Sequence, residues 1–77
     1  MKSVTIKLSQ AEEVKEFVNT VNRYEYEMDL RAGRHVVDAK SILGIFSLDL
    51  SKPIDLNIHA ESNADGILEE LKPYIVG

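Results

Sequence analysis

The side chain with the clearest chemical potential is the hydroxyl of Ser41, which stands directly before the apolar segment Ile42–Phe46. The residues themselves indicate a helix N-cap, where serine is preferred and its loss typically costs about 1 kcal/mol. The short apolar helix that Ser41 would cap is also the one segment of the chain in which the sequence offers a site.

Two histidines, His35 and His59, are further side chains that could do chemistry. Both lie in segments whose alternating hydrophobicity is typical of strands, His59 at an outward position and His35 beside a turn. Histidines at such positions are usually solvated, so we interpret both as plain surface residues.

Carboxylates on two predicted strands could be read as a metal site. They alternate with apolar residues and therefore belong to the water-facing side of a sheet, with no Cys or His partner to complete a transition-metal site. We expect no metal and no cofactor. The carboxylates concerned are Glu25, Glu27, Asp29 and Asp55.

Composition narrows the class of protein. The chain has 77 residues, no cysteine and a formal net charge of −4, which indicates one small domain over residues 1–77 without thiol chemistry. The acidic balance argues against nucleic-acid binding, and no apolar run is long enough to span a membrane. With no signal-peptide-like apolar stretch either, we expect a cytoplasmic protein. No nucleophile–base set or glycine-rich phosphate loop is present, so we expect that it is not an enzyme.

The first half of the chain predicts a strand, a helix and a hairpin. Residues 3–7 alternate as a short strand, and Ser9 and Glu12 form a capping box before a helix that ends near Asn22. The apolar stripe of that helix comprises Ala11, Val14, Phe17, Val18 and Val21. Residues 24–30 and 35–39 alternate as two strands joined by a turn in which Gly33 supplies a positive φ.

The second half predicts a short helix from Ser41 to about Ser47, a strand over residues 54–60 and a last helix. Ser62–Asp65 resembles a second capping box, and Pro73 ends the helix. The order β-α-β-β-α-β-α, with polar outer faces on the strands, predicts an α+β fold in which helices cover one face of a four-stranded antiparallel sheet.

With this order, the chain resembles HPr, the small phosphocarrier of the bacterial sugar phosphotransferase system. The central segment of that family reads much like A-K-S-I-M-G-I-M-S-L, and this chain has A-K-S-I-L-G-I-F-S-L at Ala39–Leu48. F-V-N-T-V at Phe17–Val21 is similar to the first helix of the family, and Asp38–Lys40 to the end of its third strand. The resemblance implies an open-faced β-sandwich with strand order 1-4-2-3 and three helices on one face.

The resemblance departs from the family at the start of the first helix. HPr proteins carry G-[I/L]-H-A-R-P there; the His is phosphorylated by Enzyme I and the Arg helps to hold the phosphate. That motif falls on Gln10 to Glu13, where Gln10 replaces the His, Glu12 the Arg and Glu13 the Pro. A side-chain amide is not a phosphoryl-accepting nucleophile of this kind, and two carboxylates would repel a phosphoryl group.

The resemblance gives the central segment two further roles. Ser41 matches the regulatory serine that HPr kinase phosphorylates in many members. Ile42, Leu43 and Phe46 match the surface on which partners dock, and with Ile45 they make four large apolar residues, more than a two-turn helix can bury on one side. The alternative is that Ile45 and Phe46 belong to the core and the exposure of the others is incidental. Protein partners would then be phosphotransferase-system components, HPr kinase or a transcriptional regulator.

Three functions follow as alternatives. The first is a degenerate HPr-like module that regulates or binds proteins through the Ser41 helix, as does a known regulatory paralogue of HPr with Gln in place of the active His. The second is a phosphocarrier whose acceptor is relocated to His35 or His59. The third is a structural domain in which the patch of Ile42, Leu43 and Phe46 closes a homodimer.

Overall fold

A computed structural model describes residues 2–60 and 64–76, so the predicted second capping box lies partly outside the described residues. Within these residues the elements are β1 (Lys2–Ile6), α1 (Ala11–Val21), β2 (Glu27–Ala32), β3 (His35–Asp38), α2 (Ile42–Phe46), β4 (Ile54–His59) and α3 (Asp65–Leu71). A 3₁₀ turn, Lys72–Tyr74, follows α3. The predicted order of elements is confirmed.

The four strands form one antiparallel sheet in the order β1-β4-β2-β3. This is the predicted strand order, with the hairpin β2–β3 at one edge. Gly33 has φ +61° in the turn that joins β2 to β3, a backbone conformation that glycine adopts without steric cost. At the opposite edge, the amide of Val76 donates to the carbonyl of Thr5 at 2.9 Å, so the C-terminal segment covers part of β1.

The core lies between the inner face of the sheet and the helices, because each amphipathic element turns its apolar side there. The alternation in β4 is complete: Ile54, Leu56 and Ile58 are buried and face the helices. The ring of Phe17 in α1 packs edge to face against the ring of Tyr74, with ring centroids 6.2 Å apart. The fully buried apolar side chains are Ile6, Leu8, Val14, Phe17, Val21, Leu30, Ala39, Ile45, Leu56, Ile58, Ile67 and Leu71.

The predicted start of the second strand and the predicted burial of Ala11 are wrong. The second strand begins at Glu27 instead of Tyr24, because its partner β4 ends at His59 and offers no further register position. The rings of Tyr24 and Tyr26 instead stack in the preceding loop, with centroids 6.0 Å apart. Ala11, placed on the inner stripe of α1, is exposed because the helix only begins there.

Candidate functional site

Ser41 occupies the N-cap of α2, as predicted. Its backbone is extended (φ −103°, ψ 111°), and its Oγ accepts a hydrogen bond from the amide of Gly44 at 3.2 Å. The side chain therefore satisfies one of the amides that a helix start leaves without an intrahelical partner. The Ser41 residue is half-buried at the beginning of the helix.

The five-residue helix α2 keeps Ile45 in the core, packs Ile42 partly against it and leaves Leu43 and Phe46 toward solvent. Ile45 is fully buried, whereas Leu43 is 80% exposed and Phe46 is 44% exposed. Ile42 is half-buried. Exposed large apolar side chains on one short helix are the feature expected of an interaction site. We call Ile42, Leu43 and Phe46 the α2 patch.

Gly44 allows α2 to approach the sheet closely. A Cβ built at this position would lie 3.3 Å from the Cβ of Val37 on β3 and 3.4 Å from the Ser41 Oγ. The absence of a side chain therefore lets the helix pack on β3 while the Ser41 hydroxyl still reaches the Gly44 amide.

The start of α1 differs in register from the prediction. The N-cap is Gln10, and the carboxylate Oε1 of Glu13 accepts from the amides of Ser9 at 2.7 Å and Gln10 at 3.2 Å. The capping box predicted for Ser9 and Glu12 is therefore wrong by one residue. Glu12 is exposed in the first turn, where the helix dipole favours an anion. Gln10 is also exposed.

The outer face of the sheet holds a chain of hydrogen bonds that the sequence did not predict. The Ser3 hydroxyl donates to Asn57 Oδ1 at 2.7 Å, and Asn57 Nδ2 donates to Asp29 Oδ1 at 2.8 Å. The other carboxylate oxygen of Asp29 lies 2.6 Å from His59 Nε2. The hydrogen bond from Asn57, and then that to His59, lower the pKa of Asp29 below its ordinary value.

His59 lies on the surface as predicted, but its imidazole is paired with a carboxylate, which the sequence did not predict. The pair lies beside a shallow depression of about 290 Å³ that Glu27, Asp38 and Lys40 also line. The closeness of His59 to Asp29 could be predicted only once the strand order is known. His59 is then the register partner of Glu27, two residues from Asp29 on the same strand. His35 lies exposed at the start of β3, on another strand from His59.

In residues 2–60 and 64–76, no three or more His, Asp or Glu side chains are grouped so as to hold a metal ion. Two of the four carboxylates on the predicted strands have other partners: Asp29 bonds Asn57 and His59, and Asp55 accepts from Thr5 at 3.3 Å. No helix in the described part of the chain is both long and apolar enough to cross a membrane.

An antiparallel sheet in the order β1-β4-β2-β3, covered on one face by helices and carrying a serine-capped short helix, defines the class of HPr-like open-faced sandwiches. The sequence profile of the family described as "PTS HPr component phosphorylation site" matches residues 2–76. The chain belongs to the HPr family of the phosphotransferase system. Proteins of this family are phosphocarriers that interact with other phosphotransferase-system proteins and are not themselves catalysts.

Solved structures agree with this assignment. HPr-C-His from Thermoanaerobacter tengcongensis superposes with a TM-score of 0.76 at 28% identity, covering 92% of this chain and 90% of that one. A phosphocarrier protein HPr from Bacillus anthracis str. Ames gives a TM-score of 0.71 at 30% identity, covering 97% and 94%. A histidine-containing phosphocarrier protein of Mycoplasma shares the fold at 13% identity, with a TM-score of 0.70 and coverages of 99% and 98%. No curated protein sequence gives a significant match.

Proposed function

We propose that this HPr-family chain is a regulatory or protein-binding module that acts through the Ser41 helix and no longer carries phosphate on histidine. The observation that carries the proposal is the α2 patch, in which Leu43 is 80% exposed two residues after Ser41. Large apolar side chains that a helix exposes together favour the binding of a partner, because covering them removes apolar surface from water. The net charge of −4 favours a protein partner over a nucleic acid.

The start of α1 supports the loss of histidine phosphorylation. Gln10 stands at the N-cap, where the family resemblance places the active His, and its amide group is not a phosphoryl acceptor of that kind. The Glu13 carboxylate accepts from the amides of Ser9 and Gln10. These donors are therefore engaged, and the charges of Glu12 and Glu13 oppose a dianionic group.

Ser41 is the phosphorylation switch of this proposal. An HPr kinase would transfer the γ-phosphoryl group of ATP to the Ser41 Oγ: the new O–P bond forms as the bond to the bridging oxygen breaks, ADP leaves, and the hydroxyl proton passes to a base of the kinase. The modified oxygen is the one that caps α2, and the new charge of about −2 would lie beside the α2 patch. Such a charge would change which partners the patch binds, without requiring a change of fold.

A second candidate function rests on one contact. The His59 imidazole lies 2.6 Å from the Asp29 carboxylate, and a carboxylate that orients an imidazole is the usual arrangement for a histidine that reacts. In this alternative the chain remains a phosphocarrier with His59 as its acceptor. The carboxylates of Glu27 and Asp38 around the same depression oppose it, because they repel an incoming phosphoryl group.

The two candidates differ in one assay, transfer of label from phosphoenolpyruvate through Enzyme I. Wild type, His35→Asn and His59→Asn would be compared with an ordinary HPr as the positive control. We expect no label on any of the three when ordinary HPr is labelled. Label on wild type that His59→Asn abolishes would instead establish the relocated phosphocarrier and overturn the module.

A further inference from the structure

The segment that leads into α2 is held by the side chain of Lys40. Its Nζ donates to the backbone carbonyl of Tyr24 at 2.6 Å, across the loop between α1 and β2. Its backbone amide donates to Asp38 Oδ1 at 2.9 Å, and the amide of Ser41 donates to the Asp38 carbonyl at 3.1 Å. Lys40 therefore joins the end of β3 to the α1–β2 loop immediately before Ser41.

Asn22 closes the same junction from the other side. Its Nδ2 donates to the carbonyl of Val18 at 2.9 Å, which fixes the side chain at the end of α1. The same group lies 3.4 Å from the carbonyl of Lys40. Both the side chain and the carbonyl of Lys40 are thus bonded to the end of α1 or the loop that follows it.

The acceptor of the Lys40 bond is itself fixed. The Tyr24 hydroxyl donates to the Glu70 carboxylate of α3, and the Arg23 guanidinium pairs with the other oxygen of that carboxylate. The Tyr24 ring stacks on Tyr26 with a centroid distance of 6.0 Å. A continuous set of contacts therefore runs from α3 through Tyr24 and Lys40 to Ser41.

The hydrogen bonds within a helix as short as α2 are not enough to stabilise it, so its orientation depends on the contacts at its ends. Ile45 anchors the middle of the helix in the core. The ammonium–carbonyl bond of Lys40 is charge-assisted and half-buried, and it acts at the N-terminal end. The other contacts that hold this segment are the buried side chain of Ala39, whose amide donates to the Met28 carbonyl at 3.0 Å, the bonds to Asp38 and the long contact from Asn22.

We propose that Lys40 is a positioning residue, which holds the start of α2 against the α1–β2 loop so that Ser41 and the α2 patch keep one orientation. The contact itself is independent of any partner, while its consequence for phosphorylation or docking rests on the proposed function. A partner would then bind the α2 patch, whose orientation the contact of Lys40 with Tyr24 fixes.

The test compares amide hydrogen exchange in wild type and Lys40→Met, which keeps the aliphatic stem but removes the ammonium. We expect about fivefold faster exchange of the Gly44 and Ile45 amides, the effect of losing one such hydrogen bond, with β4 amides unchanged. Lys15→Met, on the exposed face of α1, removes the same charge and serves as the control. Unchanged Gly44 exchange in Lys40→Met, or an equal increase in β4, would overturn the positioning role.

A second variant tests the link through Tyr24. Tyr24→Phe removes the hydroxyl that bonds Glu70, far from Ser41 in the contact chain, and we expect it to speed Gly44 exchange in the same direction. Adding it to Lys40→Met should give no further effect, since both act on one junction. Independent, additive effects would contradict the chain of contacts, and recovery of protection in Lys40→Arg would support it.

Failure of this inference and failure of the proposed function are separable. In an HPr kinase assay, Lys40→Met and Tyr24→Phe should raise KM more than they lower kcat. The α2 patch is misplaced in these variants, while the Ser41 hydroxyl remains. If the kinase does not modify wild type, the proposed switch fails, but the exchange results still decide whether Lys40 positions α2.

Discussion

Ser41 and Glu13 each cap a helix start, since a side-chain oxygen of each accepts hydrogen bonds from backbone amides that have no intrahelical partner. Ser41 accepts from Gly44 within the first turn of α2, and Glu13 reaches back to Ser9 and Gln10 before α1. Both are local interactions whose loss leaves the core intact. Their effects on stability can therefore be measured with little disturbance elsewhere.

Replacing Ser41 with Ala should lower the free energy of unfolding by about 1 kcal/mol, because the Gly44 amide loses its acceptor. Urea denaturation followed by circular dichroism measures the change. Ser9→Ala is the matched control, since the structure assigns the cap of α1 to Gln10, and its effect should stay below about 0.5 kcal/mol. Equal losses in the two variants would contradict the assignment of caps.

Glu13→Ala should cost about 1 kcal/mol of stability, because two backbone amides before α1 lose their carboxylate acceptor. Glu12→Ala removes the same charge from the same turn and should cost less than about 0.5 kcal/mol. The same urea titration compares them. A larger effect at Glu12 would restore the capping box that the sequence predicts.

The register of that capping box shows why residue-level detail is hard to predict. Serine is the commoner cap, so Ser9 followed by Glu12 is the favoured choice, yet Gln10 followed by Glu13 has the same spacing. The two solutions differ by one residue, and the choice depends on how the helix must turn to bury Val14 and Phe17. At Ser41 no neighbouring residue competes as a cap, and the prediction is confirmed.

At the scale of elements, β2 and β4 are joined on their outer face by Asp29. Because hydrogen bonds from Asn57 and His59 lower the pKa of Asp29, its ionised form stabilises the folded state. That contribution is complete above the unfolded pKa and is lost as the pH falls through the folded pKa. The sheet should therefore weaken progressively from about pH 4 downward.

Asp29→Asn tests this linkage. The variant should be about 1 kcal/mol less stable than wild type at neutral pH, and the difference should shrink as the pH falls below about 4. Urea midpoints across that range provide the measurement. Glu27→Gln removes a carboxylate from the same strand without touching the Asn57 bond. If Glu27→Gln lost as much stability at neutral pH as Asp29→Asn, with the same decrease of the loss on acidification, the specific role of Asp29 would be refuted.

The exposed part of α2 should be important for binding and unimportant for stability. Leu43→Asp should leave the free energy of unfolding within about 0.5 kcal/mol of wild type, because the side chain is 80% exposed. It should lower kcat/KM for an HPr kinase at least about tenfold, as loss of a buried anchor does. Val36→Asp, at a β3 position that is 54% exposed, is the control. Equal effects in both variants would remove the α2 patch from consideration.

Elements whose burial alternates could be predicted from the sequence, and those fixed by long-range pairing could not. The sequence predicts β4 correctly, because Ile54, Leu56 and Ile58 alternate with polar residues. Tyr24 and Tyr26 continue the same alternation before β2, yet they lie outside the strand because β4 provides no partner there. The pairing of His59 with Asp29 depends on the same cross-strand register.

For the molecule as a whole, the order of elements followed from periodicity, while the strand order came from the resemblance of the central segment to HPr. Fold and family are now established by the topology and by the match over residues 2–76. The contact of Lys40 with the Tyr24 carbonyl could not be predicted, because a backbone acceptor has no sequence signature.

The α2 patch also allows self-association, in which Ile42, Leu43 and Phe46 would close a homodimer. We expect a monomer instead, because a patch built on a five-residue helix is small beside the roughly 800 Å² per partner of a stable interface. Sedimentation velocity over a wide concentration range measures this. A concentration-dependent dimer that Leu43→Asp dissolves would favour the structural alternative over a regulatory module.

Intact mass after incubation with ATP and an HPr kinase tests the central claim most directly. Wild type should gain the mass of one phosphoryl group, and Ser41→Ala should gain none. No gain in wild type, in a reaction where an ordinary HPr is modified, would reduce Ser41 to the N-cap of α2 and contradict the proposed switch.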